Sequence, residues 1–112
     1  MPSCGSPRAA VPSLRFHRDY LDAVRTGTKV TTIRFRDPGT TGPVNLVFEP
    51  DEEVTLPGLI TEVVGKRVAE LTDADAVADG FRELAELQDR LRYHYPEIKP
   101  TDEIAIVHFR LR

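Results

Sequence analysis

Three observations predict an α+β fold, a small and partly closed β-barrel with flanking helices on its outside. Apolar and β-branched residues alternate near 14–17, 30–35, 44–49, 54–69 and 103–111, as strands with one buried face do. Short helical patterns fall between these stretches, at 18–25, just after Thr72, and at 83–93. The length of 112 residues suits one domain with one modest core.

Composition narrows the class. The chain is 40% hydrophobic, but no apolar run approaches the roughly 20 residues that span a bilayer. The N-terminus lacks the apolar segment of a secretory signal. A single cysteine, Cys4, excludes an internal disulfide and a cysteine-rich zinc site. A cytoplasmic protein with no membrane partner is the expectation. The net charge of −3 argues against a general nucleic-acid coat protein. Its distribution is uneven. Residues 1–36 hold seven Lys or Arg and two acids, a net +5 against −8 for the remainder. A local basic region can bind an anion or polynucleotide despite an acidic total.

Residues 1–13 contain three prolines and no apolar period, and read as a flexible N-terminal tail before a single domain over 14–112. Cys4 sits there without a positioned base. Leu14 and Phe16 alternate with Arg15 and His17 as a short strand. Arg18 to Arg25 reads as a helix with Tyr20, Leu21 and Val24 on its apolar face, and His17 before it suits a capping or surface role. Gly27 closes that helix. Residues 36–43 are rich in turn formers, and Val44–Phe48 is a strand. Val54 to Glu70 is extended, as one strand or two, with a break expected at Pro57-Gly58 and a bulge or tight turn at Gly65-Lys66. Thr72 is a good N-cap, and Gly80 suits the C-terminal end of the helix that follows. Phe81 plugs the core. The 83–93 helix carries Leu84, Leu87 and Leu91 on one face and Glu86 and Arg90 as an i, i+4 pair. Tyr95-Pro96 ends it. The last strand runs from Glu103 to Leu111, with His108 lining the barrel or facing solvent.

The stretch Gly27-Thr28-Lys29-Val30-Thr31-Thr32-Ile33-Arg34 organises the chain. A glycine turn delivers Lys29 to the mouth of a β-branched strand. Thr32 and Arg34 share one face of it. Strict alternation places Lys29 opposite Thr32; the two converge if the turn continues through Lys29. Two readings stand here. One is a half-exposed strand with solvated polar side chains. The other is a pocket holding an amine, a hydroxyl and a guanidinium. Asp79 adds a second cue, because a carboxylate at the negative end of a helix dipole is misplaced by about 0.3–1 kcal/mol, and local rules tend to break at functional sites.

Gly27-x-Lys29-x-x-Thr32-x-Arg34 after a short amphipathic helix resembles the signature of ASCH domains, small β-barrels similar in fold to the PUA domains of RNA-modifying proteins. Asp79-Gly80-Phe81, the 83–93 helix and Tyr95-Pro96 match the family order downstream, so the resemblance covers residues 14–112. Small bacterial members include amidohydrolases that remove the acetyl group from N4-acetylcytidine with a lysine, a threonine and a glutamate. By motif matching these fall on Lys29, Thr32 and Asp79. The resemblance places Arg34, Gly27 and Phe81 on the substrate side and implies no metal or cofactor. Asp79 departs from the family glutamate, and its carboxylate reaches about 1.5 Å less far. Three functions follow as expectations: an amidohydrolase for an acylated pyrimidine nucleoside, a non-catalytic module binding single-stranded RNA, and, third, a ribonuclease-like activity. Lys29 and Thr32 stand at the end and face of a strand, so replacing either by alanine is expected to leave the fold intact.

Overall fold

In the computed structural model, which describes residues 11–35, 39–51 and 53–112, five strands make one mixed sheet. They are β1 (Ser13–His17), β2 (Thr31–Arg34), β3 (Gly42–Glu49), β4 (Val54–Arg67) and β5 (Glu103–Leu111). Their spatial order is β1-β3-β4-β5-β2. β1 runs parallel to β3, and the other neighbours are antiparallel. The sheet curls into a half-barrel with β1 and β2 as its edges, the α+β class expected. β1 begins at Ser13, and the Pro12 carbonyl accepts a hydrogen bond from the Asn45 N–H at 2.9 Å. Residues 1–10 of the expected tail, Cys4 included, and Arg36 lie outside the described residues.

β4 is one strand, and neither interruption falls where the sequence suggested. Pro57 and Gly58 pair in register with Asn45 and Val44. Proline is tolerated because it sits one residue before the β5 ladder begins at Gly58. Gly58 allows a close crossing, since an added Cβ would stand 3.0 Å from Leu46 Cγ and 3.2 Å from the Arg110 carbonyl oxygen. The register shift lies between Ile60 and Glu62, not at Gly65-Lys66. That is where β4 makes its last pair with β3, Gly42 with Ile60, and passes wholly to β5.

The expected first helix is split into a 3-10 turn over Arg18–Tyr20 and α1 (Leu21–Arg25). His17 Nδ1 caps the turn by accepting the Asp19 N–H. α2 (Asp73–Ala78) is N-capped by Thr72, whose hydroxyl accepts from the Asp75 N–H. α3 (Leu84–His94) follows. Glu86 does not pair with Arg90. It binds Arg82, which stands at the same spacing on its other side, with Nη2 at 2.9 Å. Arg90 instead donates from Nε to the Tyr20 hydroxyl at 2.7 Å.

The sheet separates two apolar cores. Leu14, Phe16, Val44, Leu46, Phe48, Val107 and Phe109 fill the barrel side, where the Phe16 and Phe48 rings stack at 5.0 Å. Ile33, Leu71, Ala76, Leu87, Leu91, Ile104 and Ile106 pack beneath α2 and α3. β5 serves both, with Ile104 and Ile106 on one face and Val107 and Phe109 on the other. Each of the Val, Leu, Ile and Phe side chains contributes about 1.5–3 kcal/mol by leaving water. Among the described residues no helix is long and apolar enough to cross a membrane.

Candidate functional site

The open seam of the half-barrel is a cleft. Arg15, Phe16 and His17 of the β1 edge line one side, and Thr32, Ile33 and Arg34 of the β2 edge the other. The Arg34 guanidinium spans the seam, donating from Nη2 to the Arg15 carbonyl at 2.8 Å and lying over the Phe16 ring at 5.2 Å. Lys29, Asp79, Tyr20 and Phe81 close one end, and α3 supplies Arg90 and His94. The cavity holds about 260 Å³.

Lys29 reaches this cleft because the chain is not yet a strand there. Its N–H donates to the Ala23 carbonyl at 3.0 Å, and the Val30 N–H donates to the Ala78 carbonyl at 2.8 Å. β2 alternation starts only at Thr31, so Lys29 and Thr32 border one cavity although they are three residues apart. The same Val30–Ala78 bond ties the segment to the end of α2, where Asp79 is the C-cap.

Lys29 is 3% exposed and Asp79 5%. Lys29 Nζ stands 3.0 Å from Asp79 Oδ1 and donates to the Asp79 carbonyl at 3.0 Å. The ammonium therefore meets both the carboxylate and the negative end of α2, which offsets the misplacement seen in the sequence. The Tyr20 ring lies 4.9 Å from Nζ and the Phe81 ring 6.0 Å. The Thr31 hydroxyl donates to Asp79 Oδ1 at 3.2 Å. Burial draws the Lys29 amine below the usual lysine range, against the opposing attraction of Asp79; the Arg34 charge adds a smaller push the same way. Burial also pushes the Asp79 carboxyl above the usual carboxylate range, against the pull of Lys29. The two proton affinities approach each other, and the pair titrates as a unit.

Of the six residues singled out in the sequence, Lys29, Thr32, Arg34, Asp79 and Phe81 border this cleft. Gly27 does not; it is exposed in the turn after α1, with φ of 80°. Asp79 meets Lys29 despite its short side chain, because the Val30–Ala78 bond brings the backbones together. Sequence reasoning missed Thr31, Tyr20 and Arg90. Alternation put Thr31 on the face away from Thr32, and nothing in the pattern revealed that Asp79 lies there. Tyr20 reads as an ordinary apolar-face residue, and Arg90 has the spacing of a helix-surface pair.

Gly80 has a role beyond ending α2. Its φ is 97°, and an added Cβ would stand 3.2 Å from Lys29 Cβ. Gly80→Ala is expected to cost about 1–2 kcal/mol of stability through the left-handed backbone alone, read as a lower midpoint in urea unfolding. An unchanged midpoint would mean that the backbone relaxes without strain.

Solved structures similar in fold include an ASCH domain and a DUF984 protein. The ASCH domain from Lactobacillus crispatus superposes with a TM-score of 0.66 at 17% identity, covering 80% of this chain and 68% of that chain. A protein from Enterococcus faecalis that carries the family-model name DUF984 gives 0.61 at 14% identity, covering 81% of this chain and 65% of its own. Identities this low carry the fold and no activity. No protein-family model and no curated protein matches the sequence.

Proposed function

Within this ASCH-like fold, we propose that the seam cleft hydrolyses the acyl amide of an acylated pyrimidine nucleoside such as N4-acetylcytidine. The observation that carries the reading is the buried Lys29–Asp79 pair bordering the same cavity as Thr32. A threonine hydroxyl is a weak nucleophile until a base takes its proton. A lysine is such a base only when its amine is neutral, and burial favours that form here. Asp79 orients the amine, with Lys29 Nζ 3.0 Å from its Oδ1 and bonded to its carbonyl.

In the proposed reaction the Thr32 oxygen bonds to the acyl carbon and its proton passes to Lys29. The tetrahedral adduct collapses, the carbon–nitrogen bond breaks, and Lys29 returns the proton to the leaving amine of the base. Water then attacks the acyl-threonine ester, giving up a proton to Lys29. Thr32 recovers its proton as acetate leaves. Thr31, whose hydroxyl is committed to Asp79, positions the carboxylate. A 260 Å³ cavity lies just below the roughly 300–1,000 Å³ of small-molecule pockets, which suits a single nucleoside better than a polymer.

The pH profile of turnover tests the lysine's role. The reactive amine is neutral, and its pKa lies below the ordinary 10.5. The rate of N4-acetylcytidine hydrolysis is expected to rise with pH along a limb centred below that value. A rate that is flat, or that falls as pH rises, would remove Lys29 as the base. Asp79→Glu is a second test. Asp79 already contacts Lys29 in a buried site, so the longer side chain is expected to lower kcat/KM, by on the order of a hundredfold for a displacement near 1 Å. A gain in activity would mean that the shorter acid limits the protein.

The non-catalytic reading, an RNA-binding module, draws support from the arginines and aromatic rings around the same cleft. It requires no neutral amine and predicts no turnover at any pH.

A further inference from the structure

Beside Lys29 the cleft ends on a wall of two aromatic rings. The Tyr20 ring stands 4.9 Å from Lys29 Nζ and the Phe81 ring 6.0 Å. The rings meet edge to face, with centroids 6.5 Å apart. Both are anchored. Arg90 Nε donates to the Tyr20 hydroxyl at 2.7 Å, and its guanidinium lies 5.6 Å from the same ring. The Tyr93 ring at 4.9 Å and the charge of Asp19 flank Arg90 in turn. Phe81 follows the end of α2, where its N–H donates to the Ala76 carbonyl at 2.9 Å. Behind the wall is a second, shallower groove of about 390 Å³ that reaches Glu86, Asp89 and Tyr93. It opens to solvent, since Tyr93 is 71% exposed. Tyr20, Phe81 and Arg90 line both the cleft and this groove, so these three side chains separate the two spaces.

Resting on the hydrolase reading of the cleft, we propose that Tyr20 sets the size of the acyl group, so that the substrate carries acetyl or a similarly short acyl group and not a bulky one. The reaction brings the acyl carbon to Thr32 beside Lys29, and hence next to both rings. The acyl group is the free end of such a substrate, whereas the base continues into the ribose. The acyl group therefore lies against the wall and the nucleoside toward the open seam. At 4.9 Å the Tyr20 ring is close enough to the Lys29 amine that a phenyl group does not fit between them. Room for a larger group exists in the groove beyond, and Tyr20 cuts it off. Arg90 is a positioning residue that acts through Tyr20, because its bond holds the phenol in the wall.

The test is calorimetric binding of N4-acetylcytidine and N4-benzoylcytidine to the Thr32→Ala protein, which lacks the attacking hydroxyl and so holds both ligands intact. With Tyr20 present, the benzoyl compound is expected to bind at least about tenfold more weakly, the scale on which an apolar pocket separates ligands by size. Adding Tyr20→Leu keeps an apolar side chain but shortens the wall, and the preference should fall below about threefold. Adding Arg90→Gln instead leaves the ring and removes its anchor, and part of the preference should be lost. The ratio of the two affinities is the readout, because a general loosening of the fold weakens both ligands alike. Circular dichroism establishes that each variant is folded. Equal affinities with Tyr20 in place would overturn the proposal, as would no binding of N4-acetylcytidine, or either folded variant keeping the full preference. Should Tyr20 govern this preference while the wild-type protein never deacylates N4-acetylcytidine, the size limit stands and only the hydrolase reading falls.

Discussion

Replacing Thr32 by alanine is expected to lower kcat/KM for N4-acetylcytidine by about a thousandfold or more, the scale on which a nucleophile's removal acts. The change deletes a hydroxyl and a methyl from a side chain at the cleft wall, so the fold should survive, and far-UV circular dichroism checks this. Thr31→Ala is the matched control on the same strand. It removes a hydroxyl that bonds Asp79 but does not line the cavity, so its loss should be much smaller. If Thr32 and Lys29 act on one step, a variant lacking both should be little worse than the poorer single variant. Equal losses in Thr31→Ala and Thr32→Ala would show that both act through packing rather than through an attacking oxygen.

Lys29→Met should be the most destabilising single change in the cleft. Lys29 stands just before β2, as the sequence suggests, but its 3% exposure and its contact with Asp79 argue against the expectation that it can be removed without harm to the fold. Methionine fills much of the space but strands a buried carboxylate, and breaking such a pair costs about 3–5 kcal/mol. The sign with pH is fixed by Asp79. Its folded pKa is raised, so its contribution to stability is complete below the unfolded value of 3.8 and is lost as pH rises through the folded value. Without Lys29, which pulls that pKa down, the folded value rises further. The loss of stability is therefore expected to be larger near pH 8 than near pH 5, and Lys29→Met/Asp79→Asn should be more stable at the higher pH than Lys29→Met alone. A pH-independent loss, or a double variant no better than the single, would mean that the cost is packing rather than an orphaned charge.

Much of the fold was legible because it rests on local patterns. Period-two alternation located β5 from Glu103 to Leu111 to the residue, since Ile104, Ile106, Val107 and Phe109 must serve two cores. Thr72 and Gly80 marked the ends of α2 by capping chemistry alone. The continuity of β4 through Pro57 was not legible, because it depends on where the β5 ladder begins, a non-local fact. The same division applies to the site. Asp79 announced itself by breaking the dipole rule, and Lys29 by following a glycine turn. Their meeting rests on the Val30–Ala78 backbone bond across 48 residues of chain, which no window of sequence contains. The partner of Glu86 is not legible either, because Arg82 and Arg90 both stand four residues from it, and only the tertiary position of Tyr20 draws Arg90 away.

The central claim is that this cleft breaks an amide with Thr32 and a neutral Lys29. The most direct measurement is chromatography of N4-acetylcytidine incubated with the wild-type protein and with Thr32→Ala. Cytidine and acetate appearing in equal amounts with the wild type, and neither above background with the variant, is the predicted result. No product from the folded wild type, or equal product from both proteins, would contradict it.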